Sequence, residues 1–194
     1  MLSGMTQKLA IHGGKPVRTD PYPPWPVAEA REEELLLQVL GSSHWGANSP
    51  FVSKFERVFA QVHDCQFGIA AANGTVALEM ALYAAGIGKG DEVIVPAHSF
   101  IATATAASRL GAVPVFVDIE RDSYNLDLAK APAAVSPKTK AVIPVHFGGA
   151  LVDVGRLEEF AKRHKLDVIE DAAHAHGAEW NGLRAGSFGR AAIF

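Results

Sequence analysis

A single cysteine, Cys65, stands among the 194 residues. No intrachain disulfide can form, so the fold must rest on its core, and a reducing compartment fits. No apolar run approaches the ~18 residues of a membrane span, and MLSGMTQKLAIHGG lacks the apolar centre of a secretion signal. A cytoplasmic protein is expected. A basic excess is also missing: 18 Lys and Arg face 21 Asp and Glu, for a net charge of −3. That balance argues against a nucleic-acid partner. No G-x-x-x-x-G-K-[ST] segment occurs, which removes the usual nucleoside-triphosphate loop. GIGKGD (86–91) has glycines, but it follows a helical stretch and precedes a strand, the wrong order for a dinucleotide loop. It reads as a turn. There is no internal repeat and no low-complexity segment.

Hydrophobic residues make up 48% of the chain, enough for one substantial core. GGKPVRTDPYPPWP (13–26) reads as an extended arm, because each proline fixes φ and disfavours helix before it. Residues 29–40 carry helix formers, with Leu36, Val39 and Leu40 on one face. GSSHWGANSP is a loop, and 51–63 place Phe51, Phe55, Val58, Phe59 and Val62 on a second helical stripe. We assign 1–50 to an arm, helix and loop, and 51–194 to an α/β domain. In the latter, strand-like runs at 67–72, 92–96, 113–118, 141–147 and 167–171 alternate with helical runs at 75–86, 100–111 and 157–164. Apolar, β-branched strands between helices predict a layered, mostly parallel sheet. GSFGRAAIF reads as the start of a further strand, so an incomplete domain is expected. Ligands of such sheets sit beyond the strands' carboxyl ends. His146 and Asp171 both fall there and are expected to face one crevice.

Three segments carry candidate chemistry. AANGTVALEMAL runs from strand through a tight turn into a helix, and Gly74 and Thr75 at that helix start suit a phosphate, although an ordinary N-cap has the same look. VPAHSFIATATAA puts Phe100 after a strand, where it either stacks on a flat ligand or joins the core. VIEDAAHAHG allows three readings. Asp171 could hold a proton on a ring nitrogen, as in pyridoxal phosphate (PLP) enzymes. His146, Asp171, His174 and His176 could instead ligate zinc as in a metal-dependent hydrolase. Asp171 could also be a simple cap. Glu170 alternates with Asp171, so it should point to the opposite face as a structural group. His12, His44, His63 and His164 read as surface residues.

HGGKPVR, NGTVALEMAL, GDEVIVPAHSFIATATAASRLGAVPVFVDIE, YNLD, KTKAVIPVHFGG and VIEDAAHAHGAEWNGLRAGSFG follow one another in the order of the DegT/DnrJ/EryC1/StrS aminotransferases, which the chain resembles. The resemblance implies the large domain of a fold-type I PLP enzyme, with a mostly parallel seven-stranded sheet between helices. It implies that Gly74 and Thr75 hold the cofactor phosphate, that Phe100 lies against the pyridine ring, and that Asp171 pairs with the ring nitrogen. His174 would sit near the phenolic oxygen, and HWGANSP near the substrate side, reaching a neighbouring subunit.

The implied reaction passes an amino group from glutamate or glutamine to a keto-sugar, keto-cyclitol or aminoshikimate-type substrate, in a homodimer. In the family a Ser and then the Schiff-base Lys follow the segment that matches GRAAIF. The nine lysines (8, 15, 54, 89, 130, 138, 140, 162 and 165) all lie elsewhere. The resemblance therefore implies the N-terminal part of a longer enzyme, itself inactive. A non-catalytic regulator of the same fold is the other reading.

Overall fold

The computed structural model describes residues 8–194. They fall into two compact units, one ending at Gly46 and the other spanning Ala47–Phe194. Residues 47 and 48 form a turn that leads into the next helix, which begins at Pro50. Ser49 caps it, accepting from the Phe51 N–H, and Pro50 takes the first helical position.

In the first unit, a 3-10 turn at Ala10–His12 closes on Gly13 with φ +85°. Helix α1, Ala30–Ser42, opens on a reciprocal capping box between Glu29 and Glu32. It ends where Ser43 turns left-handed, and the Trp45 indole donates back to the Val39 carbonyl at 3.0 Å. The apolar face expected on this helix is present, but Leu36 and Leu40 are exposed.

The second unit begins with α2 (Pro50–Val62) and α3 (Gly74–Ala84), followed by β1 (Glu92–Pro96), α4 (Ala102–Arg109) and β2 (Val113–Val117). Then come β3 (Thr139–Val142), α5 (Val154–His164), β4 (Asp167–Asp171), the short β5 (Glu179–Trp180) and β6 (Leu183–Arg184), and β7 (Ala191–Ile193). The main sheet has the order β2-β1-β3-β4-β7, and every pairing is parallel. Of the seven strands expected for a complete large domain, the described residues supply five. Side chains alternate through this sheet. Val93, Val95, Ile143, Ile169 and Ile193 pack with Leu78 and Leu82 of α3 and Ala106 and Ala107 of α4. Ile94, Val142 and Val168 pack with Leu157 and Phe160 of α5 on the other face. Helices thus cover both faces, as the sequence pattern predicts.

Three local expectations are corrected. Residues 67–72 form no strand, and Phe67 and Ile69 are exposed. No strand among the described residues runs beside them to complete a ladder. The segment is tied to α2 instead, where Ala70 N–H donates to Glu56 Oε1 at 2.8 Å. The strand expected over 141–147 stops at Val142, since Pro144 has no N–H to donate, though Val145 still bridges to Asp171. The β5–β6 hairpin was not anticipated. Its Asn181-Gly182 turn has positive φ at both residues (49° and 85°), the geometry for which Asn-Gly is the strongest short signal. Among the described residues, no helix is long and apolar enough to cross a membrane.

The loop entering β7 approaches β4 closely: a Cβ on Gly189 would stand 2.5 Å from the Val168 carbonyl oxygen. Gly189→Ala is expected to destabilise by about 1–3 kcal/mol through overpacking. Gly88→Ala, which meets nothing within 4 Å, should stay within about 0.5 kcal/mol. Urea unfolding of both variants measures this, and equal midpoints would show that the loop does not lie against β4.

Candidate functional site

β4 ends in two carboxylates that point through opposite faces of the sheet. Asp171 shares the side of Ile169, facing α3 and α4, and is 6% exposed. The Thr103 hydroxyl, one position into α4, donates to Asp171 Oδ2 at 2.7 Å, and Ser99 Oγ lies 2.8 Å from Thr103 Oγ1. Ala173 N–H reaches Asp171 Oδ1 only at 3.5 Å. Thr103 escaped the sequence reading, because one hydroxyl in a run of alanines and threonines carries no signal of its own.

Glu170 faces the other way and is fully buried. Its Oε2 accepts from Gly186 N–H at 2.8 Å and its Oε1 from Phe188 and Gly189 N–H, both at 2.8 Å. The fourth partner is His146 Nε2 at 3.0 Å. Because His146 Nδ1 accepts from Val152 N–H at 3.3 Å, the ring proton is assigned to Nε2, which donates to Glu170. The structural role expected of Glu170 is what the geometry shows.

The crevice role expected of His146 is corrected. Its backbone bonds beside Asp171 (His146 N–H to Asp171 O, 3.0 Å), but its side chain leaves through the opposite face. The zinc reading loses its first ligand there. His176 packs against the rings of Phe59 and Phe194 instead, and no cluster of three potential ligands exists among the described residues. His63, expected at the surface, is buried with Nδ1 2.8 Å from the Ala185 carbonyl oxygen.

The remaining candidates gather at the carboxyl edge. His174 follows β4 and is exposed. Its Nδ1 accepts from Gly148 N–H at 3.3 Å, and the Phe147 ring meets it edge-on at 5.8 Å. With Nδ1 occupied as acceptor, the proton falls on Nε2, which is free to donate. Gly148 and Gly149 both turn with positive φ (60° and 85°), which lets the 147–149 turn present that N–H. Phe100 is 75% exposed on the loop between β1 and α4, so it is not a core residue and offers a bare ring face.

At the start of α3, Asn73 Oδ1 accepts from Val76 N–H at 3.0 Å. Among the described residues, the N–H groups of Gly74 and Thr75 meet no acceptor. A Cβ on Gly74 would meet only Ile193 Cδ1, at an ordinary 3.8 Å, so the chain's own packing does not demand glycine there. Ile193 in turn is the register partner of Asp171. One residue thus joins the open helix start to the buried carboxylate.

All nine lysines are exposed. Lys89, Lys138 and Lys165 precede β1, β3 and β4, at the opposite edge from Asp171. Lys130 reaches the carboxyl end of β2 by pairing with Asp118 at 2.7 Å. The hydrogen bond it donates to the Asp118 carboxylate pushes its amine above the ordinary lysine value and holds it charged. β1 and β3 separate β2 from β4, so three strand spacings put Lys130 on the order of 14 Å from Asp171.

Glu170→Gln replaces one acceptor oxygen with a donor that must face a buried N–H. A loss of about 2–4 kcal/mol in stability is expected, the scale for leaving buried hydrogen-bonding groups unpaired beside a charged site. Urea unfolding measures it; a wild-type midpoint would remove Glu170 from the centre of the fold.

The profile of the DegT/DnrJ/EryC1/StrS aminotransferase family matches residues 26–194. The L-glutamine:2-deoxy-scyllo-inosose aminotransferase of Streptomyces lividus is 40% identical over 196 residues, which cover 98% of this chain and 46% of that protein. The crystal structure of 3-amino-5-hydroxybenzoic acid synthase superposes with a TM-score of 0.83 at 43% identity, over 87% of this chain and 44% of that one. The structure of DesI in the presence of its TDP-sugar product gives 0.80 at 36% identity, over 95% and 47%. The chain spans about half the length of the curated relatives it matches. With the match running from the arm through β7, the chain belongs to the DegT/DnrJ/EryC1/StrS aminotransferase family.

Proposed function

We propose that the protein is a PLP-dependent aminotransferase whose cofactor lies along the carboxyl edge of β4 and β7. The observation that carries this reading is the link through Ile193, which sets the open start of α3 beside the buried Asp171. The residues present fit the group. Gly74 and Thr75 offer two backbone N–H groups and a hydroxyl to its phosphate, at the positive end of a helix dipole. Phe100 offers a ring face, Asp171 holds the proton on the pyridine nitrogen, and His174 donates Nε2–H to the phenolic oxygen. When bound, PLP supplies the electron sink of the reaction.

Glutamine or glutamate is the proposed amino donor, and a keto-cyclitol the favoured acceptor. The deoxy-scyllo-inosose aminotransferase named above supports that choice, while keto-sugar and aminoshikimate-type acceptors remain the neighbouring options. Assembly as a homodimer is part of the proposal. The exposed Leu36, Leu40, Phe55, Phe67 and Ile69 supply apolar surface suited to a second copy. We place the protein in the cytoplasm.

Taken alone, the 194-residue chain is proposed to bind PLP without turning over, because no lysine of the Ala47–Phe194 unit lies at the carboxyl edge of β4. Incubation with PLP, reduction with borohydride and peptide mapping should mark no single lysine stoichiometrically. One fully marked site with aminotransferase activity would overturn this. Thr75→Val is expected to weaken PLP about 10-fold or more, the scale of a hydrogen bond to a charged group, and to leave pyridoxal unchanged. Unchanged PLP affinity with weakened pyridoxal would move the phosphate elsewhere.

A further inference from the structure

We propose that Thr103 is a positioning residue that sets the Asp171 carboxylate for the ring nitrogen, with Ser99 as the outer link of the same relay; this rests on the PLP reading above. Thr103 is 1% exposed, and its hydroxyl has one hydrogen, given to Asp171 Oδ2 at 2.7 Å. The 2.8 Å contact with Ser99 is then made by the Ser99 hydroxyl donating to Thr103 Oγ1. The relay has one direction: Ser99 to Thr103 to Asp171. Each bond polarises the next, and a hydrogen bond ending on a carboxylate is the stronger for that charge.

The geometry divides the two oxygens of Asp171. Oδ2 is taken by a short bond from a residue fixed in the first turn of α4, whose own N–H is bonded to the Phe100 carbonyl at 3.1 Å. Oδ1 meets only Ala173 N–H, at 3.5 Å, and keeps accepting capacity. Without Thr103, the carboxylate would be free to turn about χ2, whose potential is broad. Thr103 therefore makes Oδ1 the oxygen that meets the ring N–H. The hydrogen bond from its N–H ties Thr103 to Phe100, whose exposed ring lies on the loop just before α4.

A purely structural threonine would affect every ligand alike. The test compares PLP with 1-deaza-PLP, an analogue with carbon in place of the ring nitrogen, by equilibrium dialysis against the 194-residue chain. The wild type should prefer PLP by about 10-fold or more, the usual scale for a charge-assisted hydrogen bond. Thr103→Val should lose most of that preference while binding 1-deaza-PLP like the wild type. Thr103→Ser, which keeps the hydroxyl, should restore it. Ser99→Ala should give an intermediate loss and, being only half-buried, serves if the valine variant fails to fold. A wild-type preference that persists in both Thr103→Val and Ser99→Ala would overturn the role of the relay and leave the PLP reading intact. No PLP binding, or equal binding of the two ligands by the wild type, would overturn the PLP reading and the relay with it.

Discussion

The Glu170 carboxylate, buried on β4, collects four hydrogen bonds from three directions: His146, the backbone at Gly186, and the backbone at Phe188 and Gly189. A buried charge is tolerated only when so satisfied. Here the bonds fasten the segment that enters β7 onto β4 and hold the chain leaving β3 through the His146 ring. Asp171 is the next residue. Its position at the carboxyl edge follows from its neighbour's being locked on the other face, since successive strand residues point to opposite sides. The structural carboxylate and the proposed functional one are thus a single mechanical unit.

Much of this was legible in the sequence where periodicity carried it. Alternating apolar strands and helical runs gave the layered α/β order, and the Glu170–Asp171 alternation gave their opposite faces. His146 shows where such reading stops. It lies at a strand end, as expected, but Pro144 interrupts β3, and the side chain that follows leaves through the α5 face to meet Glu170. Thr103 was invisible for another reason. Its meaning comes from a partner 68 positions away, and no local pattern records that. The Asn181-Gly182 turn was readable by its residue types, and 67–72 looked like a strand because apolar composition says nothing about whether a pairing edge is present.

The proposed site residues come from separate elements and lie along one edge of the sheet. α3 contributes an open helix start, the loop before α4 an exposed ring, β4 a buried acceptor, and the turn after it an imidazole held by Gly148. The lysines of the Ala47–Phe194 unit are arranged the other way, at the amino edge, on helix surfaces, or paired with acids at β2.

The central claim is that Asp171 meets the ring nitrogen of PLP. The most direct measurement is the 15N chemical shift of PLP labelled at that nitrogen and bound to the chain, followed across neutral and mildly alkaline pH. The account predicts a protonated pyridinium shift that persists where free PLP has lost its ring proton, and its loss in Asp171→Asn. A bound shift that tracks free PLP, or one unchanged in Asp171→Asn, would contradict it.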